Sequence, residues 1–317
     1  MKHGSITRAG NEVAPLDLTA VIIAFNEALH IARCISRLRG LASRVVVIDS
    51  YSTDGTVEIA QSLGAEVIQH PFVNHAAQFN WGVEAANVQT AWVLRIDADE
   101  YLDEEGMRSV RAAILGAEQQ VSAFAMRRGV VFQEKRIRFG GISQVFLTRI
   151  WRSGLAKVEA RWMDEQVLVA RGETKRISRG AIIDENLNDI GWWTSKHNGY
   201  TTRQMIQSML VELDRAGSID LSQLNQQVRR KRILRERIYA PAPLFFRAIA
   251  YFLYRYILGL GFLDGRSGFL FHFFQGLWNF FLVDVKIYEA RKIVAEGGEM
   301  AFKHWVRDVY GIELTEF

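Results

Sequence analysis

Three short apolar runs decide the fold: LTAVIIAFN at 18–26, RVVVID at 44–49 and AWVLRI at 91–96. Each run is rich in aliphatic residues and has the length of a buried β-strand. A fourth strand, EVIQ, is predicted at 66–69, and helices are predicted at 27–38, 56–63 and 76–86. Strands that alternate with helices in this way predict a parallel sheet covered on both faces.

Polar residues follow three of these strands directly. Asn26 and Glu27 come after the first, the loop from Asp49 to Asp54 after the second, and Asp97 to Glu100 after the last. In parallel α/β sheets, ligands bind beyond the carboxyl ends of the strands. We therefore expect these three sets of side chains to meet at one edge of the sheet.

The rest of the chain divides into further predicted regions. Short strands with Gly-containing turns run from about 121 to 183, helices follow after Asn188, and residues 241–283 are unusually rich in Phe, Tyr, Leu and Trp. The domain prediction is an N-terminal extension at 1–17, a catalytic domain at 18–235 and a C-terminal aromatic helical region at 236–317.

Composition restricts the class of protein. The chain has 317 residues, of which 49% are hydrophobic and 23% charged, so a full hydrophobic core is expected. Its net charge of +4 does not indicate a nucleic-acid-binding protein, and its single cysteine, Cys34, excludes an intrachain disulfide. Residues 1–18 are polar and lack the apolar segment of a secretory signal, which predicts a cytoplasmic location.

The acidic segment that ends the last of these strands has the pattern of a metal site. Asp97 and Asp99 are two residues apart and follow a strand, so both can face a ligand at a tight turn. Carboxylate oxygens suit Mg²⁺ or Mn²⁺, which in such sites usually bridge to substrate phosphates. The alternative is a solvated turn before a helix, where acidic residues are also favoured.

Several segments together resemble family 2 glycosyltransferases. They are TAVIIAFNE (19–27), VVVIDSYSTDGT (45–56), QFNWG (78–82), WVLRIDADE (92–100), RIWRSG (149–154), MDEQVLV (163–169) and WWTSKHNGYT (192–201). Within that family they are most similar to bacterial enzymes that build lipopolysaccharide core or exopolysaccharide. The resemblance implies an α/β chain with a GT-A fold, in which a Rossmann-like nucleotide-sugar-binding sheet is flanked by helices. To this fold the pattern of residues 236–317 adds a C-terminal amphipathic, membrane-associated helical region.

The resemblance also implies roles for individual residues. Asp99 would ligate Mg²⁺ or Mn²⁺, and Glu165 would be the base of an inverting transfer, with Asp164 as the alternative. Arg149 and Arg152 would contact the acceptor or a phosphate. The nucleotide-sugar would be held by Ala24, Asn26, Glu27, Asp49, Ser52, Asp54, Asn80, Asp97, Ala98, Lys196 and His197.

The C-terminal region has the pattern of a membrane-surface device. Residues 229–237, RRKRILRER, carry six basic side chains and precede two aromatic segments at 244–263 and 267–286. Each segment has one polar stripe, formed by Arg247, Tyr251 and Arg255 in the first, and by His272, Gln275, Asn279 and Lys286 in the second. Such helices are expected to lie in the membrane interface. The alternative is that they pack into the core or a dimer interface.

The functional prediction combines these features. The chain is expected to transfer a hexose, glucose in the first instance, from a UDP-sugar to a lipid-linked glycan in lipopolysaccharide or exopolysaccharide biosynthesis. It would act at the cytoplasmic face of the bacterial inner membrane as a peripheral or monotopic protein on an anionic surface, with no nucleic-acid partner. Oligomeric state stays open. The alternatives are a nucleotidyltransferase on a related fold and a non-catalytic membrane-bound scaffold.

Overall fold

The computed structural model describes residues 14–163, 165–213 and 226–314. Asp164 and most of the predicted N-terminal extension lie outside these ranges. The strands are β1 (Leu16–Ala24), β2 (Ala42–Asp49), β3 (Glu66–Gln69), β4 (Trp92–Asp97), β5 (Glu100–Leu102), β6 (Val121–Phe132), β7 (Lys135–Ile137), β8 (Phe146–Arg152), β9 (Ala156–Val158), β10 (Val167–Val169) and β11 (Glu173–Glu185).

The four predicted N-terminal strands form one parallel block. Its order is β3-β2-β1-β4, with β1 at the centre of the pairing between β2 and β4. Residue Ala24 at the end of β1 is level with Asp49 of β2, and Ile23 is level with Asp97 of β4. The carboxyl ends of these three strands therefore lie side by side, as the sequence predicts.

The second half of the sheet is mixed. Strand β8 runs antiparallel to β4, β6 runs antiparallel to β8, and β11 is parallel to β6 and antiparallel to β5. Strands β9 and β10 form a separate two-stranded sheet. This continuation brings the end of β11 beside the acidic segment, because Asp184 is paired with Glu100.

Helices cover both faces of the sheet, as predicted. On one face pack α1 (Ile31–Leu38), α2 (Thr56–Ser62) and α4 (Glu104–Leu115), and on the other α3 (His75–Ala85) packs through Phe79 against Trp151. The sequence pattern of α1 explains its orientation, since its four apolar positions recur at helical spacing and are all buried. Cys34 is one of them.

The C-terminal part consists of helices that pack on the large sheet. They are α5 (Ile190–Glu212), α6 (Gln226–Leu234), α7 (Phe246–Leu253), α8 (Gly265–Phe271) and α9 (Asn279–Tyr310), with π-helical turns at Arg235–Tyr239, Tyr254–Leu258 and His272–Trp278. A core between α5 and α9 includes Met205, Ile206 and Phe302. Residues after 236 thus share a core with the predicted catalytic domain.

The polar stripes of the two aromatic segments point into the protein. Arg247 and Arg255 are buried in the first segment, and His272, Asn279 and Lys286 are buried in the second. Many apolar residues of the same helices, such as Phe246, Ile249, Leu253 and Phe269, are exposed instead, although Ala248 and Phe271 are buried. Exposure of so many apolar side chains beside buried polar ones departs from the usual pattern for helices of a water-soluble protein.

Among the described residues, no single helix is both long and apolar enough to cross a bilayer. Two consecutive helical segments, Phe246–Leu258 and Gly261–Tyr310, are long and apolar enough only when they are taken together, and the angle between them is 69°.

Candidate functional site

A cavity of about 1150 Å³ opens at the carboxyl edge of β1 and β4. Three groups of side chains line it: those that follow the strands, those of α5, and those of the C-terminal helices. They include Asn26, Glu27, Ser50, Asp97, Asp99, Glu100, Arg128, Asp184, Trp193, Lys196, His197, Tyr200, Tyr251, Arg255 and Phe280. The predicted convergence of the three sets of strand-end residues is therefore observed, although the second set reaches the cavity only through Ser50.

The turn after β1 is fixed by the neighbouring loop. Asn26 has a positive φ of 54°, a conformation that asparagine tolerates better than most residues. Its main-chain N–H donates to the Ser52 hydroxyl at 2.8 Å, and its side-chain oxygen accepts from the Thr53 N–H at 2.9 Å. These bonds hold Asn26 and Glu27 at the cavity wall.

The loop after β2 supports the site from below. Asp49 is fully buried, and its carboxylate accepts from the Ser52 N–H at 2.9 Å and from Gln69 Nε2 at 3.0 Å. Asp54 accepts from the main-chain N–H of Ala28 at 3.0 Å. The structure thus places Asp49, Ser52 and Asp54 within the scaffold of the cavity, and none of the three lines it.

Asp97 is held in its charged form by two arginines. Burial alone would raise the pKa of this carboxyl, but Arg149 and Arg95 hold the pKa well below its usual range. The distances are 3.6 Å from Arg149 Nη2 and 4.0 Å from Arg95 Nε. Asp97 is therefore an anion at any physiological pH.

Its neighbours Asp99 and Glu100 have the opposite tendency. Burial and the nearby Asp184 raise the pKa of Asp99 to about 6. Burial raises the pKa of Glu100 to about 8, although its Oε1 accepts from Arg149 Nη2 at 2.6 Å. Burial and the mutual repulsion of these carboxyls thus oppose the ionisation of all of them at once.

This cluster of buried carboxyls is the observation that fits a divalent cation, whose charge would favour their ionised forms. Asp99 lines the cavity, and among the described residues its carboxylate accepts a hydrogen bond only from Asn186 Nδ2, at 3.3 Å, and is approached by Lys196 Nζ at 3.8 Å. In residues 14–163, 165–213 and 226–314, no three acidic, histidine or cysteine side chains are grouped so as to hold a metal. One carboxylate together with substrate phosphates is a usual arrangement for Mg²⁺.

Helix α5 supplies a cation and an aromatic surface opposite the strand ends. Lys196 Nζ lies 3.5 Å from Glu27, and despite burial the pKa of this lysine is raised by Tyr200, Asp99 and Glu27. The His197 ring stacks on Trp193 at 3.4 Å, and burial lowers the pKa of His197 to about 4. Lys196 is charged and His197 is neutral near pH 7.

The other residues expected at the site lie around it. Ala24 is buried in β1, and the side chain of Asn80 is bonded to both main-chain groups of Val158. Glu165 Oε1 accepts from Arg95 Nη2 at 2.6 Å, so Glu165 contacts the same arginine that lies beside Asp97. Asp164 lies outside the described residues.

The two predicted arginines differ in position. Arg149 is buried beside Glu100, whereas Arg152 is level with Trp92 at the opposite end of β4 and donates to the Val121 carbonyl at 2.8 Å. The structure does not bring Arg152 to the cavity.

Sequence reasoning missed part of the wall. Arg128 and Asp184 form an ion pair inside the cavity, and Trp193, Tyr200 and Arg255 come from helices. Asp184 could have been found, because it stands directly after the short strands predicted at about 121–183, as the other acids stand at the ends of theirs. The helical residues carry no such signal, since their positions depend on how the helices pack.

Comparisons with known proteins agree with this geometry. Residues 19–172 match the family model "Glycosyl transferase family 2". An uncharacterized glycosyltransferase of Rickettsia bellii is 40% identical over 95 residues, which cover 30% of this chain and 32% of that protein. The lipopolysaccharide core biosynthesis glycosyltransferase LpsC of Rhizobium meliloti is 31% identical over 121 residues, which cover 37% and 43%.

The chain spans about a third of the length of the Rickettsia relative. Among solved structures, S. aureus TarS 1–349 in complex with UDP-GlcNAc aligns with a TM-score of 0.47 at 14% identity, over 86% of this chain and 91% of that one. The matched segment holds β1 to β10 and the strand-end acids. Residues 19–172, just under half of the chain, are thus similar to family 2 glycosyltransferases.

Proposed function

We propose that the chain is an inverting hexosyltransferase that moves glucose from UDP-glucose to a lipid-linked glycan. The observation that carries this proposal is the pairing of an acidic segment, at Asp97 and Asp99, with a charged lysine, Lys196, across one large cavity. The similarity to LpsC, which is named for lipopolysaccharide core biosynthesis, supports a glycan acceptor.

The donor would lie at the strand ends. Asn26, Glu27, Asp97 and Ala98 line this part of the cavity, within reach of a nucleoside and its sugar. Asp99 would hold a divalent cation, Mg²⁺ or Mn²⁺, which when bound offsets the charge of the departing diphosphate. Lys196 would add a second positive charge to the same phosphates, and its ties to Glu27 and Asp99 keep it directed there.

The acceptor hydroxyl must lose its proton as it attacks, so inversion requires a base. We assign this role to Glu165, with Asp164 as the alternative. Arg95 supports the assignment because it lies 2.6 Å from Glu165 and 4.0 Å from Asp97, and so keeps the base beside the donor residues.

Membrane association would follow from the apolar side chains that the C-terminal helices expose. Their exposed side chains include Phe246, Ile249, Leu253, Tyr254, Ile257, Leu258, Leu260, Phe262, Leu263 and Phe269. An apolar surface of this extent is unfavourable in water and indicates a lipid or protein partner. Exposed arginines at 229, 230 and 237 favour an anionic bilayer, for which we propose the cytoplasmic face of the bacterial inner membrane.

Hydrolysis of the donor tests the proposal without knowledge of the acceptor. Purified protein is incubated with UDP-glucose and Mn²⁺, and release of UDP is compared for the wild type, Asp99→Asn and the exposed control Glu104→Gln. We expect Asp99→Asn to lose at least about tenfold in rate, which is the usual minimum for removal of a charge-stabilising group, and the control to retain wild-type activity. Equal rates for all three proteins would contradict the assignment of Asp99. Release of pyrophosphate from a nucleoside triphosphate instead would indicate a nucleotidyltransferase.

A further inference from the structure

Arg255 is a buried cation without a counter-ion on the wall of the cavity. It lies in the π-helical turn Tyr254–Leu258, is 4% exposed and lines the cavity. Within the described parts of the chain, its Nε and Nη2 have no hydrogen-bond partner and it forms no ion pair. Arg247, two helical turns earlier, has Asp284 as its partner. The same helix therefore carries one satisfied and one unsatisfied arginine.

The surroundings of Arg255 stabilise its charge only in part. Its guanidinium carbon lies 5.5 Å from the ring centres of both Tyr251 and Phe271. The Tyr251 side chain also stabilises the charge through a hydrogen bond. These contacts with neutral rings and a neutral hydroxyl are weaker than an ion pair, so the buried charge remains costly. Burial accordingly lowers the pKa of Arg255. An arginine in this position is satisfied when an anion enters the cavity.

The neighbouring wall has the character of a sugar-binding surface. The rings of Tyr251 and Phe280 pack edge to face at 4.9 Å, and both residues line the cavity. Ligand cavities typically combine such aromatic walls with a few polar groups that fix orientation. At the strand ends the cavity is acidic, because Asp97, Asp99 and Glu100 lie there. The cations at that end, Arg128 and Lys196, already face carboxylates, Asp184 for the first and Glu27 and Asp99 for the second. Within the described residues Arg255 has no such partner.

We propose that Arg255 binds an oxyanion, a carboxylate or a phosphate, carried by a sugar of the acceptor, whose ring packs against Tyr251 and Phe280. The guanidinium group suits either anion because its N–H groups match two oxygens at once. This assignment rests on the proposed function, since it makes this part of the cavity the acceptor side. It names an acidic saccharide as the acceptor class and Arg255 as a specificity-determining residue.

The test is saturation-transfer NMR with three probes, glucuronate, glucose 6-phosphate and glucose, in the presence of saturating UDP and Mg²⁺. Wild-type protein is expected to bind at least one of the anionic sugars roughly tenfold more tightly than glucose, as a charge-assisted contact provides. The comparison of glucuronate with glucose 6-phosphate identifies the anion. Arg255→Met is expected to remove the preference, Arg255→Lys to keep part of it, and the exposed control Arg266→Met to retain it.

Thermal stability separates this role from a structural one. Because Arg255→Met removes an unpaired buried charge, its melting temperature is expected to equal or exceed that of the wild type. A marked decrease, or an unchanged anion preference in Arg255→Met, would overturn the assignment, as would wild-type protein that binds all three sugars equally. Binding of UDP with Mg²⁺ is measured separately in each protein. If the wild type does not bind UDP with Mg²⁺, the proposed function is contradicted. If it does bind UDP, the result for the anion preference tests the role of Arg255 alone.

Discussion

The guanidinium of Arg247 donates two hydrogen bonds to one carboxylate oxygen of Asp284, from Nε at 2.8 Å and from Nη2 at 2.5 Å, and both side chains are buried. The second oxygen of Asp284 accepts from the Phe245 N–H at 2.8 Å, and Arg247 Nη1 donates to the Ala240 carbonyl at 2.8 Å. One buried pair thus joins α7, the segment before it and α9.

The first prediction concerns this pair. Asp284→Asn leaves the buried charge of Arg247 without compensation, and we expect a loss of about 3–5 kcal/mol in the free energy of unfolding. Glu212→Gln breaks the exposed pair with Arg291, where both side chains are 45% accessible, and should cost under about 1 kcal/mol. Urea denaturation followed by circular dichroism gives both values. A similar small loss in the two variants would show that the buried pair does not hold the C-terminal helices.

The second prediction is a pH dependence of stability from His197. Burial lowers the pKa of His197 from 6.5 to about 4. Between these two pH values the unfolded chain therefore binds a proton at His197 that the folded protein does not bind. The free energy of unfolding therefore has its full value above pH 6.5, and it decreases by up to about 3 kcal/mol as the pH falls from 6.5 towards 4. In His197→Phe, which keeps a ring on Trp193, this part of the slope should disappear.

Unfolding free energies at pH 7.5, 6 and 5 test this expectation. Other groups also titrate in this interval, so the decisive quantity is the difference in slope between His197→Phe and the wild type. His304→Phe, at an exposed position of α9, is the matched control and should keep the wild-type slope. Identical slopes for His197→Phe and the wild type would be incompatible with a buried neutral imidazole.

The parallel block and its functional edge were predictable because both follow from local patterns. Apolar runs define β1, β2 and β4, and strand ends of one parallel sheet must share an edge. Asn26, Glu27 and Asp97 accordingly line one cavity. Asp49 obeys the same rule and yet turns away, since Ser52 and Gln69 satisfy its carboxylate inside the scaffold. A pattern of strand ends does not distinguish these two outcomes.

The C-terminal half was predictable only in part, because its arrangement depends on distant partners. The sequence shows that Arg247 and Arg255 share a helical face, but not that this face is buried. That outcome depends on Asp284, 37 residues after Arg247, and on the packing of α9 against α5. Arg255 and Trp193 likewise line the cavity only because these helices pack against the sheet.

The third prediction concerns the proposed base. Glu165→Gln should reduce transfer of glucose by a factor of about 10²–10⁴, the usual contribution of a general base, while the affinity for UDP changes little. The same variant leaves Arg95 without its charged partner at 2.6 Å, so a lower melting temperature is expected as well. Activity is therefore measured well below that temperature, with the exposed variant Glu173→Gln as control. Near-wild-type turnover in Glu165→Gln would move the role to Asp164 or another group.

The last prediction concerns the exposed apolar side chains of the C-terminal helices. Phe246 and Leu258 are 73% and 74% exposed, so their charged replacements, Phe246→Glu and Leu258→Glu, should fold normally but oppose contact with lipid. Each buried large apolar side chain contributes about 1.5–3 kcal/mol, so the double variant should bind vesicles at least about 100-fold more weakly. Leu115→Glu is a matched control, because Leu115 is 73% exposed on α4 and does not belong to this surface.

Sedimentation with vesicles that contain phosphatidylglycerol and phosphatidylethanolamine measures this binding. The wild type and Leu115→Glu should sediment with the vesicles, whereas the double variant should stay in the supernatant. High salt should weaken the wild type only in part, since screening acts on the arginines at 229, 230 and 237 and leaves the apolar contribution intact. If the double variant sediments like the wild type, the apolar surface has a partner other than lipid, and a concentration-dependent mass of the wild type in solution would identify a second copy of the chain as that partner.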